Sequence, residues 1–425
     1  MALLDFLPSP REVMHPHLDP LVWPHGAHHD ARGRLVISGV ALTDIADEYG
    51  TPTYVIDEID VSRRADAYRE ALPDTRITYP GNAALVRGIA GWAKAEGMAI
   101  DIGSAGELAA AVAAGVDPTR MILHGSSPTP GELRAALSAG VGRMVVASND
   151  EITRLAGLLD RRQTVLVGIV ADVDLFGRPV ADVDSKSGFR ISNGRADRAV
   201  ARVVSQHRFD MIGLYCDVRA TTADVQHWRT AAGCLVAQMN QVLEQHGVLL
   251  SELHFGAGHA TPSAQAPNLR ELAEAVDDVI DNSCAEFRLP RPGIVLEPGR
   301  AVVAPSGVTL FRVAGVSRTP GGRSVVSITA RMTANLRQTL QSAKHAVVLA
   351  NRYSHGRLEQ VTVTGIQRAA RDEVATGMQL PSDVRAGDLL AVACTNAYDE
   401  VGRAHVVAVC DGYTRILARL DLGEI

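Results

Sequence analysis

Residues 98–151 read MAIDIGSAGELAAAVAAGVDPTRMILHGSSPTPGELRAALSAGVGRMVVASNDE, and the fold can be inferred from this stretch outward. It holds three short apolar runs typical of buried strands, at 98–102, 121–124 and 143–147. Each run is followed by S/T-x-x-E, the pattern of a capping box, in which a hydroxyl accepts a backbone N–H at a helix start. The boxes begin at Ser104, Thr129 and Ser148. A strand followed by a capped helix, repeated, predicts β/α units and a parallel sheet.

The same alternation extends along the chain in both directions. Eight strand-like runs occur, at 77–79, 98–102, 121–124, 143–147, 165–170, 211–215, 252–255 and 294–297. A helix is predicted over 83–95, where Leu85, Ile89 and Trp92 share one helical face. Eight repeats predict a (β/α)8 TIM barrel. The alternative, a doubly wound sheet, is disfavoured because no glycine-rich dinucleotide fingerprint follows the first strand.

After Arg300 the pattern changes to short β-branched runs separated by Gly, Pro and polar turns. These runs lie at 308–316, 324–329, 346–350, 360–364, 388–394 and 404–410. They predict a C-terminal antiparallel β domain, a sandwich or barrel, which residues 34–43 and 53–56 are expected to join. The predicted organisation is an N-terminal arm (1–33), strands joining the β domain (34–58), the barrel (59–305) and the β domain (306–425).

Composition excludes several classes of protein. Of the 425 residues, 46% are hydrophobic and 21% are charged, which suits a large buried core. The net charge of −6 argues against a nucleic-acid partner. No apolar run of about 18 residues suggests a membrane span, and no secretory signal is recognised. The five cysteines form no C-x-x-C pair, so we expect no disulfide framework and a cytoplasmic location. No cluster of His, Cys and carboxylate residues has the spacing of metal ligands, so we expect no metal site.

In a (β/α)8 barrel, catalytic residues lie at the C-terminal ends of the strands. Polar residues follow several predicted strands here, namely Asn82, His124, Asp217, Arg219, His259 and Glu297. The turn Gly256-Ala257-Gly258 would let backbone N–H groups approach an anion, and it is equally consistent with an ordinary turn. Glu297 and Arg300 form either a structural ion pair or part of a site.

Three blocks resemble those of one enzyme family. They are YGTPTYVIDE at 49–58, EPGR at 297–300, and RAGDLLAV at 385–392 followed by NAY at 396–398. In order and spacing they are similar to diaminopimelate decarboxylase, a fold-type III decarboxylase, roughly from residue 21 to 418. The resemblance implies a barrel plus a β domain, a homodimer, and pyridoxal phosphate at the barrel mouth, where the partner chain completes the site.

Several functional residues of that family are replaced at the matching positions. The family's Schiff-base lysine, aligned on Tyr79 and Ala83, is Asn82, whose amide nitrogen is not basic and forms no imine with an aldehyde. Three further family motifs are altered. His-x-His-Ile-Gly-Ser is Tyr215-Cys216-Asp217-Val218-Arg219-Ala220, Gly-Gly-Gly is Gly256-Ala257-Gly258, and Cys-Glu-Ser is Arg368-Ala369-Ala370. The chain is therefore identified as a divergent member.

Other family positions are retained. Asp101 matches the aspartate behind the cofactor ring, and Glu297 matches the acid that keeps the pyridine nitrogen protonated. Arg300 and Arg337 match arginines whose planar fork binds substrate carboxylates. Tyr398 matches a phosphate contact and His124 lies in the family's His-Gly block. Each of these residues is also consistent with a role in packing.

The replaced residues lead to the expectation that no cofactor is used. The sequence has three lysines, Lys94, Lys186 and Lys344, and Lys94 is expected to be solvated at a helix end. Pyridoxal phosphate remains possible only away from Asn82, with Lys186 or Lys344 as its attachment point.

The leading hypothesis is a repurposed, lyase-like enzyme that acts without pyridoxal phosphate on a small carboxylate-bearing molecule. Its catalytic candidates are Asn82, His124, Asp217, His259 and Glu297. Its substrate- and anion-binding candidates are Arg219, Gly256, Gly258, Arg300, Arg337, Arg368 and Tyr398. One alternative is a non-catalytic homologue, or pseudoenzyme, that acts through its dimer surface with itself or a paralogue. The other is a decarboxylase with non-covalent pyridoxal phosphate or a relocated lysine.

Overall fold

The computed structural model describes residues 18–83, 85–125, 127–173, 188–218, 225–256, 268–330, 347–365, 374–394 and 404–419. Of Arg300 and Val374 it describes the backbone alone. The described residues divide into two compact units. One contains the residues up to Arg64 and those from Val302 onward, and the other contains Ala65 to Ala301.

The elements are numbered in chain order. The strands are β1 His28–His29, β2 Leu35–Ile37, β3 Val40–Ala41, β4 Thr53–Asp57, β5 Thr75–Pro80, β6 Ala99–Ile102, β7 Met121–Leu123, β8 Arg143–Val146, β9 Gln163–Val170, β10 Phe189–Arg190, β11 Phe209–Asp217, β12 Glu252–Gly256, β13 Gly293–Leu296, β14 Gly307–Arg318, β15 Ser324–Ile328, β16 Val347–Leu349, β17 Leu358–Thr364, β18 Val374–Pro381, β19 Leu389–Ala393, β20 His405–Cys410 and β21 Tyr413–Ala418. The helices are α1 Leu42–Tyr49, α2 Glu58–Ala71, α3 Arg87–Ala95, α4 Ala105–Ala113, α5 Pro130–Ala139, α6 Asn149–Leu158, α7 Arg195–Val204, α8 Val225–His246, α9 Leu269–Phe287 and α10 Gly299–Val303.

The unit from Ala65 to Ala301 is a closed parallel barrel. Its strands pair in the order β5-β6-β7-β8-β9-β11-β12-β13, and β13 closes the ring on β5. Each of these pairings is parallel. The eight predicted runs fall on these eight strands, so the predicted (β/α)8 barrel is confirmed. The short strand β10 pairs with β9 outside the ring.

The three predicted capping boxes differ in detail. Thr129 forms a complete box with Glu132 at the start of α5.

Ser104, before α4, and Ser148, before α6, accept the N–H of the glutamate three residues later, as predicted. Their glutamates instead accept from the residue before the cap: Glu107 from Gly103 N–H and Glu151 from Ala147 N–H, each at 2.7 Å. This bond ties the helix start to the end of the preceding strand.

The helix predicted over 83–95 begins later than expected. The chain leaves β5 through a 3₁₀ turn, Gly81–Ala83, and α3 starts only at Arg87. Leu85 is buried but precedes the helix, so the apolar spacing extended the prediction by one turn.

The other unit contains a large mixed sheet. Its strands run in the order β18-β17-β15-β14-β4-β20-β21, and β19 pairs with both β14 and β16. Most pairings are antiparallel, as predicted, but β15–β17 and β20–β4 are parallel. The run at 53–56 joins this sheet as β4.

Residues 34–43 do not pair with the large sheet. They contain β2 and β3, which form a separate three-stranded sheet of the same unit in the order β1-β2-β3. The tight turn between β2 and β3 places Ser38 and Gly39 at positive φ, 45° and 79°, which is the geometry of a two-residue hairpin. Single backbone hydrogen bonds connect this segment to the rest of its unit: Leu35 N–H donates to Ala350 O at 2.9 Å, and Gly412 N–H donates to Ser38 O at 2.7 Å.

The N-terminal end of the barrel is joined by an ion-pair network inside the ring. Glu252, on β12, accepts hydrogen bonds from Arg143 on β8 at 2.7 and 2.8 Å, and from Arg76 on β5 at 3.2 Å. His254 Nε2 lies 2.9 Å from Glu252 Oε2. These strands are not neighbours in the sheet, so the network spans the barrel.

Among the described residues, the helices include none whose length and apolar character would suit a membrane crossing.

Candidate active site

Four polar residues and one glycine, from five strands, meet at the C-terminal end of the barrel. Asp101 lies in β6, His124 follows β7, Asp217 ends β11, Gly256 ends β12 and Glu297 follows β13. Backbone hydrogen bonds continue the sheet ladder through these positions: His124 N–H donates to Ile102 O at 2.9 Å, and Glu297 N–H donates to Phe255 O at 3.0 Å. The sheet therefore fixes the backbone positions from which these side chains project.

Glu297 is the central carboxyl group of this cluster. Its side chain is buried, and its Oε2 accepts a hydrogen bond from the Tyr215 hydroxyl at 3.1 Å. Its Oε1 is buried without a hydrogen-bond partner in the described part of the chain. Burial raises the pKa of Glu297 to about 8; the bond from Tyr215 lowers it and the charge of Asp217 raises it. The carboxyl group is therefore protonated at neutral pH.

Asp101 and His124 lie beside Glu297, and burial disfavours the charged form of both. His124 Nδ1 is 3.8 Å from Asp101 Oδ2, which is too long for a hydrogen bond. Burial, with the charges of Glu297 and Glu107, raises the pKa of Asp101 well above its ordinary value. Burial, with the charge of His254, lowers the pKa of His124 to about 4. The pair is thus not an ion pair at neutral pH.

Glycines make room for the close contacts at this end of the barrel. A Cβ atom on Gly299 would overlap the Pro80 ring, and one on Gly81 would lie 2.6 Å from the carbonyl oxygen of Asp101. These clashes explain two glycines: Gly299, in the EPGR motif, lets α10 begin against the end of β5, and Gly81 lets the 3₁₀ turn approach β6.

Asn82 lies in this 3₁₀ turn, directly after β5, and its side chain is exposed. The sequence places it where the resemblance implies the lysine. Among the described residues the lysine present is Lys94, which is exposed near the end of α3. The described part of the barrel mouth therefore offers no amine for covalent attachment.

Many of the predicted site residues lie outside the described residues. These are Arg219, Gly258, His259, Arg337, Arg368 and Tyr398, with the two fallback lysines, Lys186 and Lys344. Arg300 is placed by its backbone in α10. Their roles stay predictions. The structure does bring together His124, Asp217, Gly256 and Glu297, and places Asn82 at the same end of the barrel.

Sequence reasoning did not select two residues of the cluster. Asp101 matches an aspartate of the family and Tyr215 stands where the family has a histidine, but neither is among the predicted site residues. The available signal was their position, since both lie near the C-terminal ends of barrel strands. In the described residues, His, Cys, Asp and Glu side chains form no group of three or more suited to hold a metal ion.

Comparison with known proteins identifies the family. Residues 58–304 match the family described as pyridoxal-dependent decarboxylase, pyridoxal binding domain. The chain belongs to the pyridoxal-dependent decarboxylase family. It is 40% identical over 439 residues to a diaminopimelate decarboxylase of Actinosynnema pretiosum subsp. auranticum, covering 100% of this chain and 98% of that protein. It is 33% identical over 431 residues to that of Mycobacterium bovis, covering 95% and 96%.

A solved structure of this family shares the fold. The diaminopimelate decarboxylase of M. jannaschii, in complex with L-lysine, superposes with a TM-score of 0.81 at 21% identity, covering 93% of this chain and 95% of that one. The resemblance to diaminopimelate decarboxylase and the predicted fold-type III architecture are therefore confirmed.

The expectation that no cofactor is used is wrong. The family is a pyridoxal-dependent one, and the match covers its pyridoxal-binding domain, in which the whole barrel lies. The expectation took the loss of the lysine amine for the loss of the cofactor site. A covalent anchor is one contact among several in such a site, and the buried acid of β13 is retained in this chain.

Proposed function

We propose that this chain is a decarboxylase that binds pyridoxal phosphate non-covalently and acts on an amino acid of the diaminopimelate class. The observation that carries the proposal is the buried Glu297, whose Oε1 has no hydrogen-bond partner in the described residues. Membership of the pyridoxal-dependent family and the names of the 40% and 33% identical relatives support the reaction and the substrate class.

Glu297 suits a pyridine nitrogen for a physical reason. Burying a polar atom without a hydrogen-bond partner costs free energy. A hydrogen bond between Oε1 and a pyridine nitrogen would remove that cost. Because the pKa of Glu297 is about 8, the carboxyl group holds that proton at neutral pH. Pyridoxal phosphate, when bound, supplies an electron sink for the charge left by departing carbon dioxide.

The other residues prepare the surroundings of this carboxyl group. His124 remains neutral at physiological pH because its pKa is about 4, and the raised pKa of Asp101 disfavours the ionised form of that carboxyl group. We assign to Arg300 and Arg337 the binding of substrate carboxylates, because the guanidinium fork pairs with a carboxylate in two parallel hydrogen bonds. A homodimer is part of the proposal, with light scattering of the purified protein as its test.

Asn82 cannot form the covalent bond to the cofactor that the lysine of the family forms at the matching position. An amide cannot replace an amine in reaction with the cofactor's aldehyde. The substrate's own amine would be available to the aldehyde of a bound cofactor, so the proposal requires no covalent bond between the cofactor and residue 82.

The test is a titration of the purified protein with pyridoxal phosphate, followed by absorbance. We expect a saturable spectral change that is weakened in Glu297→Gln and retained in Glu286→Gln, an exposed control on α9. Borohydride reduction should add no mass to the protein. The absence of any saturable change would overturn the cofactor site. A mass increase mapped to Lys186 or Lys344 would overturn non-covalent binding and support a relocated anchor.

A second candidate function is favoured by Asn82 itself. Without an amine at this position, the chain is suited to be a non-catalytic homologue that binds cofactor or amino acid and acts through its dimer surface, with itself or with a paralogue. Release of carbon dioxide from meso-diaminopimelate, with pyridoxal phosphate present, separates the two functions. Sustained release supports the decarboxylase, whereas binding without release supports the non-catalytic homologue.

A further inference from the structure

Tyr215 is held rigidly inside the barrel. It lies on β11 and is buried, and it packs in an apolar group with Ile122, Val145 and Leu166 from the three preceding barrel strands. Its ring also meets the His124 ring edge to face, with centroids 4.2 Å apart and an angle of 62° between the planes. The position of the phenol ring is therefore set by packing on several strands.

The hydroxyl of this ring reaches across the barrel end to Glu297. It donates to Oε2 at 3.1 Å, from β11 past β12 to the residue after β13. Gly256, at the end of β12, makes this crossing possible. A Cβ atom at Gly256 would overlap the Tyr215 hydroxyl and lie 2.9 Å from Glu297 Oε2.

We infer that Tyr215 is the positioning residue of Glu297: its hydroxyl occupies Oε2 and leaves Oε1 as the atom that meets the cofactor's ring nitrogen. The contact between Oε1 and the ring nitrogen rests on the proposed function. The pairing of Tyr215 with Glu297, and the control it has over that carboxyl group, are tested without any cofactor.

The charges around Glu297 determine the direction of the expected effect. Asp217, from β11, opposes ionisation of Glu297, and Glu297 in turn opposes that of Asp101, from β6. The bond from Tyr215 favours the ionised form of Glu297. The same carboxyl groups, together with burial, raise the pKa of Tyr215 well above its ordinary value, so the hydroxyl keeps its proton and acts as a donor.

The first test replaces the hydroxyl alone. In cofactor-free protein, the infrared band of the protonated Glu297 carboxyl group is assigned by its absence in Glu297→Gln and followed against pH. We expect Tyr215→Phe to raise the midpoint of the Glu297 titration by about one pH unit. This shift corresponds to a tenfold change in proton affinity, which is expected when a charged group loses one hydrogen bond. The control is Tyr68→Phe, a buried tyrosine on α2, which should leave the midpoint unchanged. An unchanged midpoint in Tyr215→Phe would overturn the inference.

A second variant reaches the same bond without altering the tyrosine. Gly256→Ala introduces a methyl group where the Tyr215 hydroxyl lies, so it should displace the hydroxyl from Oε2 and raise the midpoint in the same direction. This variant keeps the test valid if Tyr215→Phe does not fold. A midpoint that stays at the wild-type value in folded Gly256→Ala would count against the inference.

The last readout concerns the cofactor. At pH 7, Tyr215→Phe should bind pyridoxal phosphate about tenfold more weakly than Tyr68→Phe, because Oε1 is no longer held in place. If the wild type binds no pyridoxal phosphate, the proposed function fails while the infrared titration still decides the role of Tyr215. If Tyr215→Phe shifts the midpoint but binds the cofactor as tightly as the control, positioning for the cofactor is refuted.

Discussion

Glu297 is a carboxyl group that the fold keeps buried and protonated at neutral pH, and this has a cost. An ordinary glutamate ionises in the unfolded chain near pH 4.5, whereas the pKa of Glu297 is about 8. Between these two values the folded protein holds a proton that the unfolded chain releases. The free energy of unfolding therefore falls as the pH rises through this window.

We expect Glu297→Gln to remove this dependence, because an amide does not ionise. The stability of the variant relative to wild type should increase by about 1.4 kcal/mol per pH unit between pH 5 and about pH 8, and then level off. Urea unfolding at pH 5, 6, 7 and 8 measures it. Glu286→Gln, whose side chain is exposed, should give a pH-independent difference. Parallel stability curves for wild type and Glu297→Gln would contradict the raised pKa.

For single residues, the sequence predicted which side chains lie at the barrel mouth better than it predicted the contacts between them. Glu297, Asp217, His124 and Asn82 were placed at the barrel mouth because strand ends can be recognised in a barrel sequence. The bond between Tyr215 and Glu297 could not be predicted, because it crosses a strand and depends on the space left by Gly256.

Among the elements, α5 has the best-defined start of the barrel helices with a predicted box. Thr129 Oγ1 accepts from Glu132 N–H at 3.2 Å, and Glu132 Oε2 accepts from Thr129 N–H at 2.8 Å. Pro130 occupies the first helical position, where no intrahelical N–H bond is lost. Local sequence alone therefore specifies where this helix begins.

We expect Thr129→Ala to lower the free energy of unfolding by about 1 kcal/mol, because the Glu132 N–H loses its acceptor. Thermal or urea unfolding measures the loss. Ser138→Ala, an exposed position inside the same helix, is the matched control and should change stability by less than about 0.5 kcal/mol. Equal effects at the two positions would show that the cap contributes nothing.

The strands that the sequence did not predict also have a physical explanation. β18 contains Gly377 at a φ of 80° and ends in Pro381, and both residues weaken the strand pattern. β21 is an edge strand whose residues are exposed or half-buried, so it lacks an apolar run. The barrel strands were predicted because both of their faces are covered, which makes them continuously apolar.

Across the whole barrel, the Glu252 network joins β12 to β8 and β5 through the interior. Burial opposes ionisation of Glu252, but hydrogen bonds from His254 and Arg143 outweigh it and hold the pKa of this carboxyl group below its ordinary value. A group with a lowered pKa contributes stability that is present above its unfolded pKa and lost as the pH falls. The network should therefore stabilise the closed ring at neutral pH and fail in acid.

We expect Glu252→Gln to lower the free energy of unfolding by about 1 to 3 kcal/mol at pH 7, because Arg143 and His254 lose charged hydrogen bonds. The loss should shrink below about pH 4.5, because there the unfolded wild-type chain takes up a proton at Glu252 that the folded carboxylate does not. Urea unfolding at pH 7 and pH 3.5 tests this, with Glu286→Gln as the control. A loss of equal size at both pH values would exclude the ion-pair explanation.

The contact between Tyr215 and Gly256 has a historical consequence. Gly256 matches the first glycine of the Gly-Gly-Gly motif in the family that this chain resembles, and that family has histidine where this chain has Tyr215. Because a Cβ atom at position 256 would overlap the tyrosine hydroxyl, the hydrogen bond from this tyrosine requires glycine at position 256. This requirement constrains the glycine during evolution, independently of the rest of its motif. Among relatives of this chain, tyrosine at position 215 should therefore never occur without glycine at position 256.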